Sequence, residues 1–325
     1  MGRWDRIQRA LSFPWAPFLQ RHRPIPGGAA CVMIAVLEEI VMSTATVAEV
    51  QTSGVRLHVP GPIVSPDWVA HHLNHPTLCL LDVRAQESYD EGHIPGAVWV
   101  DLAAFDEIQN GVPGMLVPPE LFTHAMSRLG VDQGQAVVIY DDNWGLPAAR
   151  LLWALARYGH ANAAVLTGGS DRWVEEGGPW TPDRFVASPA DFVVQPEDGH
   201  LAERDWLRAW IGHPALVLLD TRAPGEYAQG HIPGAICWDW INGVPAGSWD
   251  TCRPAGELLA ELTQLGVTAD KEIVTYCRSG VRAAHTYLLL RSLGYPHVRL
   301  YDGSWLEWSR YQGGENGGGP VDDTY

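Results

Sequence analysis

The sequence predicts two α/β domains, each with a mostly parallel sheet flanked by helices, from an internal repeat and an alternation of apolar patterns. The repeat consists of Asp-x-Arg at 82–84 and Gly-His-Ile-Pro-Gly-Ala at 92–97, which recur at 220–222 and 230–235. Within each copy, short continuous apolar runs alternate with longer segments of helical apolar spacing. Continuous apolar strands between helices are typical of a parallel sheet covered on both faces, so each copy predicts one such sheet.

The first copy begins with a helix and continues with strands and two longer helices. Ser65 before Pro66 predicts a helix start, because serine caps helix N-termini and proline is tolerated in the first turn. The predicted strands are Leu78–Val83, Val98–Asp101, Ala136–Tyr140 and Ala163–Leu166, and the predicted helices are Pro118–Leu129 and Ala148–Tyr158.

The second copy repeats this pattern after a linker. Residues 179–199 are rich in Pro, Asp and Gly, and we expect them to join a first domain at 60–178 to a second at 200–312. In α/β folds, ligands bind at the carboxyl ends of strands, near helix N-termini. The predicted strands of the second copy are Leu216–Thr221, Ile236–Trp238, Glu272–Tyr276 and Val298–Tyr301, and its predicted helices are Ala255–Leu265 and Ala283–Leu293.

The two ends of the chain match neither copy. Residues 1–41 carry five arginines and then a short apolar run that Glu38 and Glu39 interrupt. We interpret them as an extension that is disordered or that precedes a true start at Met42. The apolar run is too short to span a bilayer, so we expect a cytoplasmic protein without a membrane partner. The Gly-rich residues 313–325 are predicted to form a flexible tail.

Composition argues against several classes of partner and cofactor. The formal net charge of -16 argues against nucleic acid or an anionic membrane as a partner. The five cysteines include no Cys-x-x-Cys pair, so zinc-ligand spacing is absent. We therefore expect no metal, no other cofactor and a reducing compartment in which the thiols stay free.

The segment from Cys277 to Arg282 carries the chemistry that the sequence predicts. It follows the strand Glu272–Tyr276 as a predicted six-residue loop and precedes the next predicted helix. A helix N-terminus stabilises an anion through its outward N–H groups, and Arg278 and Arg282 add positive charge. Gly280 lets the backbone curl around a sulfur atom. Together these features favour a cysteine thiolate, a persulfide and a bound oxyanion over a merely structural cysteine.

The first copy carries an aspartate where the second carries this cysteine. Aligning Tyr140 with Tyr276 places Asp141 at the position of Cys277. A carboxylate cannot act there as a nucleophile toward sulfur, and its charge would repel an anion. The sequence therefore predicts a single site, in the second domain.

These motifs resemble the tandem-domain rhodanese family, which contains thiosulfate and 3-mercaptopyruvate sulfurtransferases. The resemblance runs from about Val64 to Trp308. It rests on the two copies of the repeat, on Tyr-Asp-Gly-Ser-Trp at 301–305 and on the single cysteine loop. It implies two rhodanese-like domains, an inactive first one and a catalytic second one, with the site between them.

The resemblance also implies a mechanism of two displacements through a persulfide on Cys277. The thiolate takes the outer sulfur of thiosulfate and releases sulfite, and the persulfide then passes that sulfur to cyanide or to a thiol. The expected partners are thus a small-molecule sulfur donor and a thiol or cyanide acceptor. The expected substrate-binding residues are Arg278, Ser279, Gly280, Val281 and Arg282.

The sequence leaves two candidate sulfur donors, thiosulfate and 3-mercaptopyruvate. Family members with charged residues after the cysteine tend to use thiosulfate, and those with Cys-Gly-Ser-Gly tend to use 3-mercaptopyruvate. Cys-Arg-Ser-Gly at 277–280 shares features of both, and the two loop arginines favour the doubly charged thiosulfate. Animal members carry a substrate-binding arginine where this sequence has Glu226, so their substrate model does not transfer directly.

Outside the loop, His93 and Arg222 are further candidate site residues. His93 belongs to the repeated element, which favours a structural role, but 3-mercaptopyruvate members use a histidine at the matching place. Asp82 with Arg84, and Asp220 with Arg222, are predicted ion pairs that organise the loops, and Arg222 is also a candidate for anion binding.

Three more residues are singled out by their chemistry. Cys237 and Cys252 are candidate redox partners of Cys277, although the sequence gives no distance between them. His285 lies on the helix after the loop and is predicted to pack.

Two other functions compete with a sulfurtransferase. A cysteine-dependent phosphatase of similar fold requires arginine six positions after the cysteine, but that position is Ala283, and the loop is one residue too short. The second competitor is a sulfur carrier that a protein partner loads, which the Cys277 loop supports equally well. Turnover of thiosulfate would separate the enzyme from the carrier.

Overall fold

The computed structural model describes residues 56–312, so the predicted extension at 1–41 and the predicted tail at 313–325 lie outside the described residues. The strands of the first half are β1 (Ile63–Val64), β2 (Leu78–Asp82), β3 (Ala97–Trp99), β4 (Asp106–Gln109), β5 (Val112–Leu116), β6 (Ala136–Tyr140) and β7 (Ala163–Leu166). Its helices are α1 (Pro66–His72), α2 (Gln86–Glu91), α3 (Pro119–Arg128), α4 (Leu146–Arg157) and α5 (Gly169–Glu175).

The second half repeats the order of elements with fewer strands. Its strands are β8 (Leu216–Asp220), β9 (Ile236–Cys237), β10 (Glu272–Tyr276) and β11 (Val298–Leu300). Its helices are α6 (Arg204–Trp210), α7 (Pro224–Gln229), α8 (Ala255–Gln264), α9 (Val281–Ser292) and α10 (Ser304–Gln312). Short 3-10 helices lie at Leu102–Phe105, Asp198–His200 and Trp240–Gly243.

Each half forms its own parallel sheet, as the sequence predicts. The strand order is β1-β7-β6-β2-β3 in the first half and β11-β10-β8-β9 in the second, and all of these neighbours are parallel. Tyr140 lies opposite Asp82 in the first sheet, and Tyr276 lies opposite Asp220 in the second. The loops that follow Tyr140 and Tyr276 therefore leave equivalent carboxyl edges of the two sheets.

Capping residues decide where two of the helices begin. Ser65 caps α1 as predicted, because its Oγ accepts the N–H of Trp68 at 3.2 Å. Helix α9 begins at Val281, two residues before the predicted start at Ala283, because Gly280 caps it in the left-handed conformation (φ 91°). The loop is thus shorter than predicted, and "the Cys277 loop" below denotes residues 277–280.

A β-hairpin formed by β4 and β5 was not predicted from the sequence. The two strands pair antiparallel only with each other, and β4 (Asp-Glu-Ile-Gln) carries polar side chains that give no strand signal. The hairpin nevertheless reaches the second half, since the N–H of Leu116 donates to Asp302 Oδ2 at 2.8 Å. This contact brings the first half over the carboxyl edge of the second sheet.

Helices α4 and α9 join the two halves. Each is buried along most of its length, from Ala148 to Leu155 and from Ala283 to Leu290. The helices pack on each other within one hydrophobic cluster that contains side chains from both halves. A helix that is apolar on nearly all sides is stable only when it is covered all round, so each half supplies the cover for the other.

Candidate active site

Cys277 closes strand β10 and lies at the N-terminus of helix α9. Its side chain is buried, with 1% of its surface exposed. The backbone N–H of Gly280 donates to Cys277 Sγ at 3.1 Å, which is a close contact for a sulfur acceptor. Because Gly280 has a φ of 91°, the backbone turns inward and aims this N–H at the sulfur. The loop thus offers a backbone donor to whatever atom occupies the Sγ position.

The N-terminus of helix α10 holds the backbone of the Cys277 loop. The N–H of Cys277 donates to Ser304 Oγ at 3.2 Å. The N–H of Trp305 donates to the carbonyl of Cys277 at 3.0 Å, and the N–H of Leu306 donates to the carbonyl of Arg278 at 3.1 Å. Three hydrogen bonds with the first residues of α10 therefore fix Cys277 and Arg278 in place.

Arg282 lies in the first turn of α9 and forms a two-pronged ion pair with Glu226. The two N···O distances are 2.6 and 2.8 Å, and Glu226 also accepts the N–H of Ala223 at 3.1 Å. The hydrogen bonds that Arg282 donates to Glu226 raise the pKa of Arg282, and the nearby Cys277 acts in the same direction. The same pair lowers the pKa of Glu226. Glu226 thus offsets the charge of one of the two predicted anion-binding arginines.

The remaining predicted loop residues lie beside Cys277 with different exposure. Arg278 is exposed, Ser279 and Val281 are half-buried, and Gly280 is buried. Ser279 packs under the hairpin, since its Cβ lies 3.6 Å from where a Cβ on Gly114 would stand. The structure therefore brings together all six residues predicted from Cys277 to Arg282, with the first half covering one side.

The sequence reasoning missed Arg150, which reaches the Cys277 loop from the first half. Its guanidinium donates to Asp302 Oδ1 at 2.6 Å and to the carbonyl of Gly114 at 2.9 Å, and it lies 3.4 Å from Asp106. A Cβ on Gly280 would stand 3.0 Å from Arg150 Nη1. Burial acts to lower the pKa of Arg150, but the charges of Asp302 and Asp106 outweigh it and raise that pKa.

The matching loop of the first half, residues 141–145, is occupied by its own carboxylate. Asp141 is buried, and it accepts the N–H groups of Asn143, Gly145 and Ala148 at 2.9, 2.9 and 3.0 Å. Burial raises the pKa of Asp141, and these hydrogen bonds oppose the rise. Gly145 has the same left-handed conformation as Gly280 and caps α4 as Gly280 caps α9. The first half thus has a loop with the same glycine cap, and its backbone N–H groups hold a side-chain carboxylate.

Arg222 forms the predicted ion pair, as does its counterpart in the first half. Its guanidinium donates to both oxygens of Asp220, at 2.9 and 2.6 Å, and to the carbonyl of Gly230 at 2.7 Å. Tyr276 donates its hydroxyl to the same carboxylate at 2.6 Å. Arg84 and Asp82 repeat this pair. Arg222 is nearly fully buried, so these contacts hold the strand ends from which the Cys277 loop leaves.

His93 belongs to the first half and lies under the linker segment. Its ring is fully buried and stacks on Tyr89, with ring centroids 3.8 Å apart. Its Nδ1 lies 2.9 Å from the carbonyl of Tyr89, and its Nε2 lies 3.0 Å from the carbonyl of Asp183. Both ring nitrogens therefore face backbone carbonyl groups and not the residues of the Cys277 loop.

The other candidate cysteines do not pair with Cys277 in the described chain. Cys237 lies opposite Asp220, which lies opposite Tyr276, so two strand spacings separate Cys237 from the end of β10. Two spacings amount to about 10 Å between Cα atoms, which exceeds the reach of a disulfide. Burial raises the pKa of the Cys252 thiol to about 11, so that sulfur stays protonated at neutral pH.

A cavity of about 440 Å³ lies beside the Cys277 loop, between residues of both halves. Asp302 and Leu116 line it, but Cys277 does not. This cavity is therefore separate from the contacts of the Cys277 sulfur.

Neither a metal-binding cluster nor a membrane-spanning helix is found within residues 56–312. No group of three or more His, Cys, Asp or Glu side chains there is arranged to hold a metal ion. None of the helices in this range is long and apolar enough to cross a membrane.

A buried cysteine that closes a parallel strand and accepts a backbone N–H at a helix N-terminus defines a class of α/β enzymes with a cysteine nucleophile. Comparison with known proteins places the chain within that class. The family model described as "Rhodanese-like domain" matches residues 65–176 and again residues 203–311. The chain therefore belongs to the rhodanese family and is a sulfurtransferase with tandem domains.

The chain is similar to proteins that are named for different donors and roles. A thiosulfate sulfurtransferase of Pseudomonas aeruginosa is 34% identical, over 77% of this chain and 94% of that protein. The sulfur carrier protein TtuD of Thermus thermophilus is 37% identical, over 78% and 95%. The crystal structure of SseA, a 3-mercaptopyruvate sulfotransferase from Escherichia coli, matches with a TM-score of 0.69 and 30% identity, over 75% and 99%.

Proposed function

We propose that this sulfurtransferase takes the outer sulfur of thiosulfate onto Cys277 and delivers it to cyanide or to a thiol. The observation that carries the proposal is the N–H of Gly280, 3.1 Å from Cys277 Sγ at the head of α9. Donors fixed by the fold stabilise charge that develops on an atom without having to reorganise during the reaction. The same N–H stabilises the attacking thiolate and the persulfide anion that follows it.

The reaction proceeds in two displacements at sulfur. The Cys277 thiolate attacks the outer sulfur of thiosulfate, a new S–S bond forms, and the electron pair of the old S–S bond leaves with sulfite. Cyanide then attacks the outer sulfur of the persulfide, and thiocyanate leaves while the electron pair returns to Cys277 as a thiolate. Each step transfers one sulfur atom between two nucleophiles without net oxidation or reduction, so neither requires an external oxidant or reductant.

The loop at 141–145 supports this role for the backbone donors. There the carboxylate of Asp141 accepts three N–H groups at 2.9 to 3.0 Å, in the position that matches Cys277. A carboxylate is negatively charged, as a persulfide anion is. The carboxylate of Asp141 already accepts the N–H groups of its loop, so no second anion can bind to them. We therefore propose the second domain as the catalytic one and the first domain as inactive.

Arginines near the thiol support thiosulfate as the donor. Arg278 lies in the loop and Arg282 in the first helical turn, and a guanidinium binds a sulfonate-like group through paired N–H donors. The relative from Pseudomonas aeruginosa carries the name thiosulfate sulfurtransferase.

The test is turnover of thiosulfate with cyanide, measured as sulfite and thiocyanate, in the parent protein and in Cys277→Ser. We expect turnover in the parent, at least about a thousandfold loss in Cys277→Ser, and a mass gain of one sulfur atom on Cys277 in the donor-treated parent. Cys237→Ser is the matched control and should keep its rate. Sulfur loading that survives in Cys277→Ser would disprove the assignment of the nucleophile.

The ion pair between Glu226 and Arg282 favours a second candidate donor, 3-mercaptopyruvate. Because the carboxylate of Glu226 offsets the charge of Arg282, the site presents less positive charge than the sequence predicts. 3-Mercaptopyruvate carries a single negative charge on its carboxylate, so its binding requires less positive charge in the site than the binding of thiosulfate. The solved structure from Escherichia coli is that of a 3-mercaptopyruvate sulfotransferase.

Glu226→Gln separates the two donors, because it keeps the side-chain shape and removes its charge. We expect kcat/KM for thiosulfate to rise severalfold relative to kcat/KM for 3-mercaptopyruvate, since Arg282 then faces the donor with its charge uncompensated. Glu257→Gln, which alters the remote pair with Arg253, is the control and should leave the ratio unchanged. An unchanged ratio in Glu226→Gln would show that this pair does not select the donor.

A sulfur carrier loaded by a protein partner is the remaining alternative, and the relative TtuD carries that name. The same mass measurement distinguishes it. A folded parent protein that gains no sulfur from either donor, but gains one on Cys277 from a desulfurase, would replace the small-molecule enzyme with the carrier.

A further inference from the structure

Helices α4 and α9 each place a side chain near the loop of the other half, Arg150 directly and His285 through Thr251. Arg150 is the fifth residue of α4, and His285 is the fifth residue of α9. Arg150 Nη1 lies against Gly280, while His285 Nε2 lies 2.9 Å from the carbonyl of Thr251. The Thr251 side chain in turn lies 2.8 Å from where a Cβ on Gly145 would stand. The two helices thus play matching roles at the two loops.

The residues behind each loop also correspond. On the Cys277 side, Asp302 Oδ2 accepts the N–H of Leu116 from the opposite half at 2.8 Å. On the Asp141 side, Thr167 Oγ1 accepts the N–H of Thr251 from the opposite half at 3.1 Å. Trp305 and Ser170 likewise match, since their N–H groups donate to the carbonyls of the loop residues at 277 and 141. The two loops and the residues behind them therefore correspond residue by residue.

Charge is what differs at these matched positions. The Cys277 side has a buried ion pair between Arg150 and Asp302, with an N···O distance of 2.6 Å. The Asp141 side has His285 and Thr167, and burial lowers the pKa of His285 to about 4, so that this side chain is neutral at pH 7. An ion pair buried between two domains costs desolvation energy. Within residues 56–312, the pair between the halves near the Asp141 loop, Arg172 with Asp250, is about one-third exposed, whereas the pair of Arg150 with Asp302 is buried.

We infer that Arg150, from the domain without a cysteine, is a positioning residue that holds the Cys277 loop in its sulfur-binding conformation. The inference rests on the proposed persulfide function of Cys277. Arg150 packs against Gly280, the residue whose N–H donates to Cys277 Sγ, and Asp302 fixes the direction of the guanidinium. Asp302 also stands two residues before Ser304, which accepts the N–H of Cys277. The pair therefore supports the loop from both of its ends.

The contacts of Arg150 explain how it acts at a distance from the sulfur. One guanidinium contacts Asp302, the carbonyl of Gly114 and Asp106, and so ties the hairpin to the catalytic half. The flat fork of arginine meets these acceptors in fixed directions, whereas the single ammonium of lysine cannot meet all of them. Loss of the fork allows Gly280 to turn its N–H away from the sulfur, and a small displacement of a catalytic donor lowers the rate steeply.

The test is the single-turnover burst of sulfite from thiosulfate in Arg150→Lys, Arg150→Met and the double variant Arg150→Met/Asp302→Asn. The double variant removes both charges and so avoids leaving a buried carboxylate without its partner. We expect the burst rate to fall at least about tenfold in Arg150→Met and in the double variant, with kcat falling more than KM rises, and partial recovery in Arg150→Lys. Arg157→Met is the control, because Arg157 lies on the same helix and pairs with Asp198 of the linker segment at 3.0 Å.

The outcomes separate this inference from the proposed function. A folded double variant that loads sulfur at the parental rate would overturn the inference while leaving Cys277 as the carrier. An equal fall in Arg157→Met would also overturn it, because the effect would then come from general loosening of the helix. If the parent protein loads no sulfur on Cys277 from thiosulfate or 3-mercaptopyruvate, it is the proposed function that fails.

Discussion

Gly280 is the residue at which the backbone of the Cys277 loop is most constrained. Its φ of 91° lies in the region that residues with a side chain rarely adopt. The space beside it is also filled, since a Cβ would stand 3.0 Å from Arg150 Nη1 and 3.1 Å from Asp302 Oδ1. Conformation and packing therefore both require glycine where the N–H must point at the sulfur.

Gly280→Ala should slow sulfur loading and lower stability. Left-handed backbone strain costs about 1–2 kcal/mol in a residue with a Cβ, and displacement of the Arg150–Asp302 pair adds to it. Gly266→Ala is the control, because Gly266 has a φ of 76° and nothing lies within 4 Å of its added Cβ. Urea unfolding and the sulfite burst measure the two effects. Equal stability loss and an unchanged burst in both variants would contradict the role given to Gly280.

The sequence identifies Cys277 but misjudges the charge around it. Arg282 was predicted to bind an anion, and the structure places it in a two-pronged pair with Glu226. From the sequence alone, Glu226 is only a departure from the arginine that animal members of the family carry at this position. The two residues are separated by 56 positions in the chain, so no local pattern in the sequence could have shown that they meet.

At the scale of elements, the head of helix α10 determines the shape of the Cys277 loop. Ser304 is fully buried and has a φ of 50°, which is rare for a residue with a side chain. Its hydroxyl donates to the carbonyl of Tyr301 at 2.8 Å and accepts the N–H of Cys277 at 3.2 Å. The strain at Ser304 is therefore accompanied by hydrogen bonds that connect the last helix to Cys277.

Ser304→Ala should reduce stability and slow sulfur transfer together. It leaves the buried N–H of Cys277 without an acceptor, which costs about 1–3 kcal/mol. Ser127→Ala is the control, because Ser127 Oγ accepts the N–H of Phe192 at 3.2 Å far along the chain from this loop. Unfolding free energy and the sulfite burst should both change in Ser304→Ala, whereas only the first should change in Ser127→Ala. A parental burst rate in Ser304→Ala would refute the anchoring role.

The hairpin β4–β5 shows how an element with weak sequence signals contributes to a site. Its strands are short and pair only with each other. Nevertheless it supplies Gly114, which covers Ser279 and accepts a hydrogen bond from Arg150, and Leu116, which donates to Asp302. Its position follows from contacts with the other half and not from its own periodicity.

At the scale of the whole molecule, the two halves are held together by buried helices that carry titratable side chains. His285 lies on α9, completely buried, and its ring meets the ring of Trp240 with centroids 5.2 Å apart. The prediction that it packs is confirmed. Burial lowers its pKa to about 4, below the value of about 6.5 expected in an unfolded chain.

Stability should fall on acidification because of this histidine. Below pH 6.5 the unfolded chain binds a proton at residue 285 that the folded protein does not bind until about pH 4, so the free energy of unfolding rises with pH across this window. The loss from pH 7 to pH 5 is about 2 kcal/mol from this residue. Burial also lowers the pKa values of His160 and His200, which act in the same direction.

His285→Gln isolates that contribution. The amide keeps a donor for the carbonyl of Thr251 and removes the proton-binding group. Urea unfolding at pH 7 and pH 5 should show a smaller drop for the variant than for the parent, by about 2 kcal/mol. The same drop in both proteins would show that His285 is not the group that responds to acid.

The sequence by itself determined the two parallel sheets, the predicted helices, the cap at Ser65 and the place of the single cysteine loop. These features follow from local patterns, since apolar periodicity and capping residues act over a few positions and the repeat shows the same unit twice. The family followed from the same motifs. The starts of α4 and α9 were each misjudged by two residues, because a left-handed glycine, Gly145 or Gly280, caps each helix directly after its loop.

Only the tertiary structure decided what surrounds Cys277. Arg150 and Asp302 are separated by 152 positions, and Leu116 and Asp302 by 186, yet they meet behind Gly280. Such contacts arise because α4 and α9 must bury their apolar surfaces against each other, and that packing carries the polar residues of one half to the loop of the other. The physical reason is that burial acts between surfaces brought together by the fold, whereas sequence patterns report only neighbours along the chain.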